Sequence, residues 1–422
     1  MRVPLPPAVV RDRAAERERT GADPATASGG AGERSPAGRP AGRPAGRGAG
    51  GTLREPYFDN AKYLAIVLVA AAHSWEPFWD DSRAATALYL FVYAFHMPAF
   101  IMISGYFSRG FTLTPRRVQR LVAGVAVPYV VFQTAYVLFR RWADDPDFEL
   151  NYFEPWFLTW FLLALCIWRL LTPVWERLRW PVTVSMVIAV IVSVSPMVGD
   201  DLELQRVLRF MPFFVLGLKL RPEHFALVRR RSARLWALPV LLGALVFAYW
   251  LAPRMNHQWL YLRDPAQDLD ASASTGVMMS LAMAACALVL SACFLAWVPG
   301  RRLWCTALGT GTLYGFLLHG FLVKGSRWWG WYDPEWVRTP LGMVAVTAIA
   351  VAVVTLLCTP AVRAALHFVV EPRMDWLFRD RDRDRTRSRG REGAAREKAG
   401  PDGGPDRNPR LRAGVQGSGK KR

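Results

Sequence analysis

The sequence predicts an all-α, polytopic transmembrane helix bundle of about ten spans with both termini cytoplasmic. Three observations predict it. Apolar runs of about 17 or more residues recur near 60–79, 86–108, 120–139, 154–173, 179–197, 205–220, 235–252, 274–298, 303–323 and 340–362, close to the length a helix needs to cross hydrocarbon. The sixth is short. Of the 422 residues 52% are hydrophobic, with 18 Trp and 23 Phe, too apolar and aromatic for a soluble chain of this length. Finally, the loops alternate in charge. With the N-terminus inside, every inner segment is basic: Arg109, Arg116, Arg117 and Arg120; Arg177 and Arg179; Lys219, Arg221, Arg229, Arg230, Arg231 and Arg234; Arg301 and Arg302. The outer loops hold the acids: Asp80 and Asp81; Asp144, Asp145, Asp147 and Glu149; Asp200, Asp201 and Glu203; Asp264, Asp268 and Asp270; Asp333 and Glu335. An odd number of spans would break this alternation. The formal net charge of +19 therefore belongs to the membrane boundary, and no nucleic-acid partner is expected.

Three regions follow: a cytoplasmic tail over 1–53, a transmembrane domain over 54–372 and a basic cytoplasmic tail over 373–422. The first tail lacks an apolar stretch of the kind a cleavable signal needs, so the first span is expected to start insertion. It is rich in Gly, Pro, Ala and Arg, with a local AGRPAGRPAGRG repeat, and is expected to be disordered. The second alternates Arg and Asp from Arg381 to Arg385. Both are expected to associate loosely with anionic lipid headgroups.

Span one opens with Asp59, Asn60 and Lys62 and reaches His73 after ten intervening residues. Eleven helical steps bring His73 to within roughly 20° of Lys62 and about 16 Å further along the axis. Asp59 falls roughly 40° away on the other side of this stripe. Ionisable groups in a span are costly unless they face a protein interior, so the stripe marks a site. Lys62 and Asp59 lie near the interface, where a snorkelling Lys needs no functional explanation. Glu76, three residues past His73, can orient the imidazole or hold a proton; it is equally an ordinary solvated acid at a helix end.

Span two contains Phe95-His96-Met97-Pro98 and ends in Ser104-Gly105-Tyr106-Phe107. His96 lies at mid-depth, able to meet His73. Pro98 frees backbone carbonyls and Gly105 permits close helix approach, features of a helix that lines a cavity and equally of a packing kink. A neutral imidazole, with an unperturbed pKa of about 6.5, can take a proton from a hydroxyl and pass it on. Of six histidines, His73, His96, His257 and His319 fall in or beside the outer half. Ahead of span three stand Arg116, Arg117 and Arg120. Arg117 and Arg120 are helical neighbours that can grip a phosphate, although topology alone also puts positive charge there. In span nine Gly309-Thr310-Gly311-Thr312-Leu313-Tyr314-Gly315 lacks the spacing and the preceding strand of a nucleotide loop, and supplies a small-residue face instead. The five cysteines, Cys166, Cys286, Cys293, Cys305 and Cys358, form neither a disulfide framework nor a CxxC pair and read as packing residues. No metal is expected.

Over roughly residues 54–370 these features together resemble the acyltransferase-3 family of integral membrane acyltransferases, and within it the branch named for fucose 4-O-acetylase. The resemblance rests on Lys62 with His73, on Ser104 through Phe107, on Arg117 with Arg120, on the Arg209-Phe210-Met211-Pro212-Phe213-Phe214 stretch with Gly217, and on Tyr314 with Leu317, Leu318 and His319. Lys stands at position 62 where the family more often has Arg, which keeps the charge and loses the planar fork. The resemblance implies transfer of an acyl group, commonly acetyl, from cytoplasmic acyl-CoA to a hydroxyl of a sugar, glycan or secondary metabolite in the cell membrane. Joined to the residue reading above, it makes His73 a general base or a transiently acylated group, the general base being the expected role, with Lys62, Glu76 and His96 as the accompanying candidates and Arg116, Arg117 and Arg120 gripping the coenzyme. A secondary transporter or lipid-linked-sugar flippase is the competing class, since ten spans and a buried ionisable stripe suit it too; no second copy of the 59-to-120 pattern is present.

Overall fold

The computed structural model describes residues 55–199 and 201–372, so both expected tails lie outside the described residues. Within these bounds every regular element is helical. In chain order they are α1 (Pro56–Trp75), α2 (Arg83–Tyr93), α3 (His96–Ser108), α4 (Pro115–Leu121), α5 (Val127–Ala143), α6 (Trp160–Arg177), α7 (Pro181–Ser193) and α8 (Leu204–Lys219). There follow α9 (Pro222–Val228), α10 (Arg231–Leu251), α11 (Gln258–Tyr261), α12 (Ala273–Trp297), α13 (Thr312–Trp328), α14 (Pro340–Leu357) and α15 (Pro360–Val370).

A helix or a closely joined pair stands at each of the ten apolar runs. By length and composition five of these segments can cross a membrane: Arg83–Ser108, Pro115–Ala143, Arg231–Leu251, Ala273–Trp297 and Pro340–Leu357. A sixth joins them if the bent pair Trp304–Thr310 and Thr312–Trp328 is one span. Length and polarity explain why the rest fall short: α7 has 13 residues and α8 has 16, and the central helices carry polar groups. The apolar windows of α10 and α14 are only 11% buried within the protein, whereas α1 buries Asp59, Asn60, His73 and Ser74, and α8 buries Gln205 and Arg209. The most apolar helices are thus peripheral, and the central ones carry the polar groups that only a protein interior tolerates.

Prolines set the breaks. Pro98 has no N–H to give the preceding turn, and the second apolar run divides at Ala94 and Phe95 (φ −136°), leaving His96 as the first residue of α3. Pro128 likewise deprives the carbonyl of Gly124 of its donor, and residues Val122–Ala126 widen into a π-turn between α4 and α5. The ninth run, expected to be continuous, bends by 80° at Gly311.

Close backbone approach fixes the centre. A Cβ on Gly105 would overlap the carbonyl oxygen of Phe214, and one on Gly217 would overlap that of Met102, so α3 and α8 cross at these two glycines. Gly217→Leu is expected to force the helices apart, at a cost of about 3 kcal/mol or more; a melting temperature in detergent equal to that of the parent protein would contradict the packing. The N-terminal end of α1 is pinned by Asn60, whose Nδ2 donates to the carbonyls of Pro299 (2.7 Å) and Arg301 (3.0 Å) while its Oδ1 accepts from Thr306 Oγ1 (2.7 Å). The small-residue face of 309–311 then lies directly on α1, since a Cβ at Gly309 would meet the Asp59 backbone.

Candidate active site

A cavity of about 600 Å³ opens among the C-terminal ends of α1 and α5, the α2–α3 junction, residues 154–160, the start of α8 and residues 260–263. It lies at the end of the bundle that carries the acidic connections. His73, Glu76 and His96, three of the residues singled out from the sequence, line it together.

His73 is 6% exposed, and its Nδ1 lies 2.6 Å from Glu76 Oε1. The spacing of three residues at the end of α1 puts the two side chains over one turn. Further donors converge on the same carboxylate: Arg327 Nη2 on Oε2, and the hydroxyls of Tyr93 (3.2 Å) and Tyr89 (3.5 Å) on Oε1. An acceptor so surrounded accepts from Nδ1–H, which leaves the Nε2 lone pair of His73 as the basic atom. Tyr93 and Phe157 hold the imidazole in place, with ring centroids at 5.9 and 5.4 Å. This is the arrangement of a general base fixed in one tautomer by a carboxylate.

His96 is 2% exposed and donates Nδ1–H to the carbonyl of Val92 (2.9 Å), a bond made possible by the break before Pro98. Tyr93 sits between the histidines, with its ring centroid 4.6 Å from that of His96. His319, in the sequence a motif residue outside the catalytic candidates, also lies close to His73. Its ring centroid is 5.8 Å from that of His73, Nδ1 donates to the carbonyl of Gly315 (2.8 Å), and Nε2 is buried with no hydrogen-bond partner among the described residues. It faces a second, apolar cavity of about 240 Å³ between α1, α13 and α14. His257 stacks on Trp79 at 3.9 Å and does not line the His73 cavity.

The wall opposite His73 is an irregular stretch where the fourth apolar run was expected to begin its helix. Gln133, 1% exposed on α5, organises it. Its Nε2 donates to the carbonyls of Asn151 (2.9 Å) and Glu154 (3.0 Å), and its Oε1 accepts from Trp156 N (2.9 Å) and Thr159 Oγ1 (2.7 Å). With this support Phe157 adopts φ 56°, a left-handed conformation that costs a bulky residue about 1–3 kcal/mol. Glu203, also on the cavity wall, has φ 50°. Gln133→Leu removes four hydrogen bonds while preserving bulk. It is expected to lower activity at least tenfold with little loss of the transmembrane core, checked by protease sensitivity of the 151–159 stretch; unchanged cleavage and activity would contradict the clamp.

The remaining candidates lie elsewhere. Lys62 pairs with Asp59 (2.8 Å) and stands 5.8 Å from the centroid of Phe107, and neither residue lines the cavity. Helical rise separates Lys62 from His73 by about 16 Å. Arg116, Arg117 and Arg120 are exposed on α4; Arg117 bonds the carbonyl of Gly110. Arg327, Lys324, Arg140 and Arg206 are not conspicuous in the sequence, because charges near span ends look like ordinary interfacial residues until the fold brings them together; Gln133 is a lone amide within an apolar run.

A carboxylate-held imidazole thus lines a chamber of about 600 Å³ within an apolar helical bundle. The family model described as an acyltransferase domain matches residues 55–358, and the chain belongs to this acyltransferase-3 family. It is an acyltransferase and a membrane protein. No match was found among curated proteins or among solved structures.

Proposed function

We propose that the protein is a plasma-membrane O-acyltransferase of the fucose 4-O-acetylase-like branch, moving an acetyl group from acyl-CoA to a hydroxyl of a sugar, glycan or secondary metabolite. The observation that carries the reading is the His73–Glu76 pair on the wall of the large cavity. His73 Nε2 takes the hydroxyl proton as the acceptor oxygen attacks the thioester carbonyl. The tetrahedral intermediate then collapses, the carbon–sulfur bond breaks, and the imidazolium returns its proton to the departing thiolate. Glu76 stabilises that imidazolium and holds the ring orientation.

In this reading the ten helical segments all cross the membrane with both tails inside, and the cavity faces outward. Arg116, Arg117 and Arg120 then stand at the inner face, suited to the phosphates of the donor, with Lys62 at the same end of α1. The eleven-residue rise from Lys62 to His73, about 16 Å, is of the order of an extended pantetheine arm. The test is purified full-length protein in liposomes with radiolabelled acetyl-CoA and a panel of soluble glycosides. Free thiol and labelled acceptor should appear together; uptake of unmodified sugar with no thiol release would contradict the proposal.

A further inference from the structure

We propose that the His73 cavity contains an anion subsite, formed by Lys324 and Arg140 around Trp156, that receives a phosphate or carboxylate carried by the hydroxyl acceptor. The identity of that ligand as acceptor rests on the acyl-transfer reading above; the subsite itself does not.

Two cations from different helices converge on one indole. Lys324 Nζ on α13 lies 5.1 Å from the Trp156 centroid and 4.5 Å from that of Phe157. The Arg140 guanidinium on α5 lies 5.5 Å from Trp156 and 3.7 Å from Phe148. All five residues line the cavity with His73. One of the two cations has capacity left over. Lys324 makes no ion pair among the described residues. Arg140 pairs through Nε with Asp144 (3.6 Å) and through Nη2 with Asp145 (3.3 Å), whose side chains are 38% and 41% exposed.

Of the cations on the wall, Lys324 is the one without a carboxylate partner among the described residues. Arg140, Arg206, Arg263 and Lys324 line the cavity with Glu76, Glu154 and Glu203, and Arg140 is paired with Asp144 and Asp145. Glu76 is engaged by His73 and Arg327. Glu203 is shared between Arg206 (3.6 Å) and Arg263 (3.8 Å), and Glu154 is exposed. A snorkelling Lys at an interface would explain Lys324 by itself. It does not explain an arginine from another helix placed against the same indole. An anion at this place would give Lys324 the partner that the described residues do not supply.

Position gives the site its use. Lys324 Nζ and the His73 ring both approach Phe157, at 4.5 and 5.4 Å from its centroid, so they lie within about 10 Å of each other. That reach accommodates a monosaccharide phosphate. A ligand anchored by its anion at Lys324 and Arg140 would lay its body along the Trp156 and Phe157 faces and bring a hydroxyl toward His73 Nε2.

Glucose 1-phosphate and methyl α-glucoside carry the same ring hydroxyls and differ at the anomeric substituent, so they isolate the anion's contribution. They would be titrated by calorimetry against full-length protein in nanodiscs, with no acyl donor present. Glucose 1-phosphate is expected to bind at least tenfold more tightly. Lys324→Met should bring the ratio to within about twofold and Lys324→Arg should retain the preference. Equal affinities in the parent protein, a preference that survives Lys324→Met, or competitive displacement of glucose 1-phosphate by coenzyme A would each overturn the proposal, the last by assigning the site to the donor. Because binding is read without acyl transfer, absence of transfer activity would sink the enzymatic reading and leave this result standing on its own.

Discussion

His73→Ala is expected to lower acyl transfer by about 10²–10⁴-fold, the range contributed by a positioned general base. The imidazole Nε2 is the free basic atom of the pair formed with Glu76, and the substitution removes the proton acceptor at the point of attack. The bundle should survive. Glu76 keeps its contacts with Arg327, Tyr93 and Tyr89 when the ring is deleted, and the space vacated opens onto an existing cavity rather than creating a sealed void. Membrane yield and melting temperature should therefore stay close to those of the parent protein while product formation, measured as labelled acceptor, falls. Activity within twofold of the parent would remove His73 from the mechanism.

Glu76→Gln should produce the second large effect, about 10²-fold or more in kcat. An amide can donate to Nδ1 as readily as accept from it, so the ring is no longer held with its lone pair at Nε2. The same change strips Arg327 of its carboxylate. That guanidinium is 30% exposed, which limits the cost of leaving it uncompensated to about 1–3 kcal/mol of stability. The signature that separates orientation from mere damage is kinetic: donor KM should change little while kcat falls. A proportional rise in KM with unchanged kcat would show that Glu76 binds substrate and does not position the base.

The legible part of the site lay in single helical runs. His73 and Glu76 are three residues apart, and a histidine, a proline and a glycine within one apolar span are conspicuous because hydrocarbon tolerates them poorly. Helix phase, however, fixes direction around an axis and says nothing about what packs at each depth. Lys62 shares the azimuth of His73, yet one end of that stripe rests on Phe107 and the other opens into the cavity. Gln133 was invisible for a related reason: a lone amide in an apolar run gains its meaning from the loop it clamps. That clamp also moved the start of α6 to Trp160, since backbone groups claimed by Gln133 cannot join a helix. Lys324 and Arg140 come from helices distant in sequence, and only the fold places them on one wall. The bend at Gly311 was hidden by apolar neighbours on both sides, in a run whose hydropathy is the same whether the helix is straight or broken.

The most direct measurement is a double-mutant cycle on kcat for acyl transfer, using His73→Ala, Glu76→Gln and the combined variant under identical conditions. If the carboxylate acts through the imidazole, removing it from a protein that has already lost the ring should cost nothing further, and the double variant should match His73→Ala to within about twofold. Multiplicative losses, with the double variant slower by the product of the single effects, would show that the two residues work independently and would contradict the base-and-carboxylate unit placed at the cavity wall.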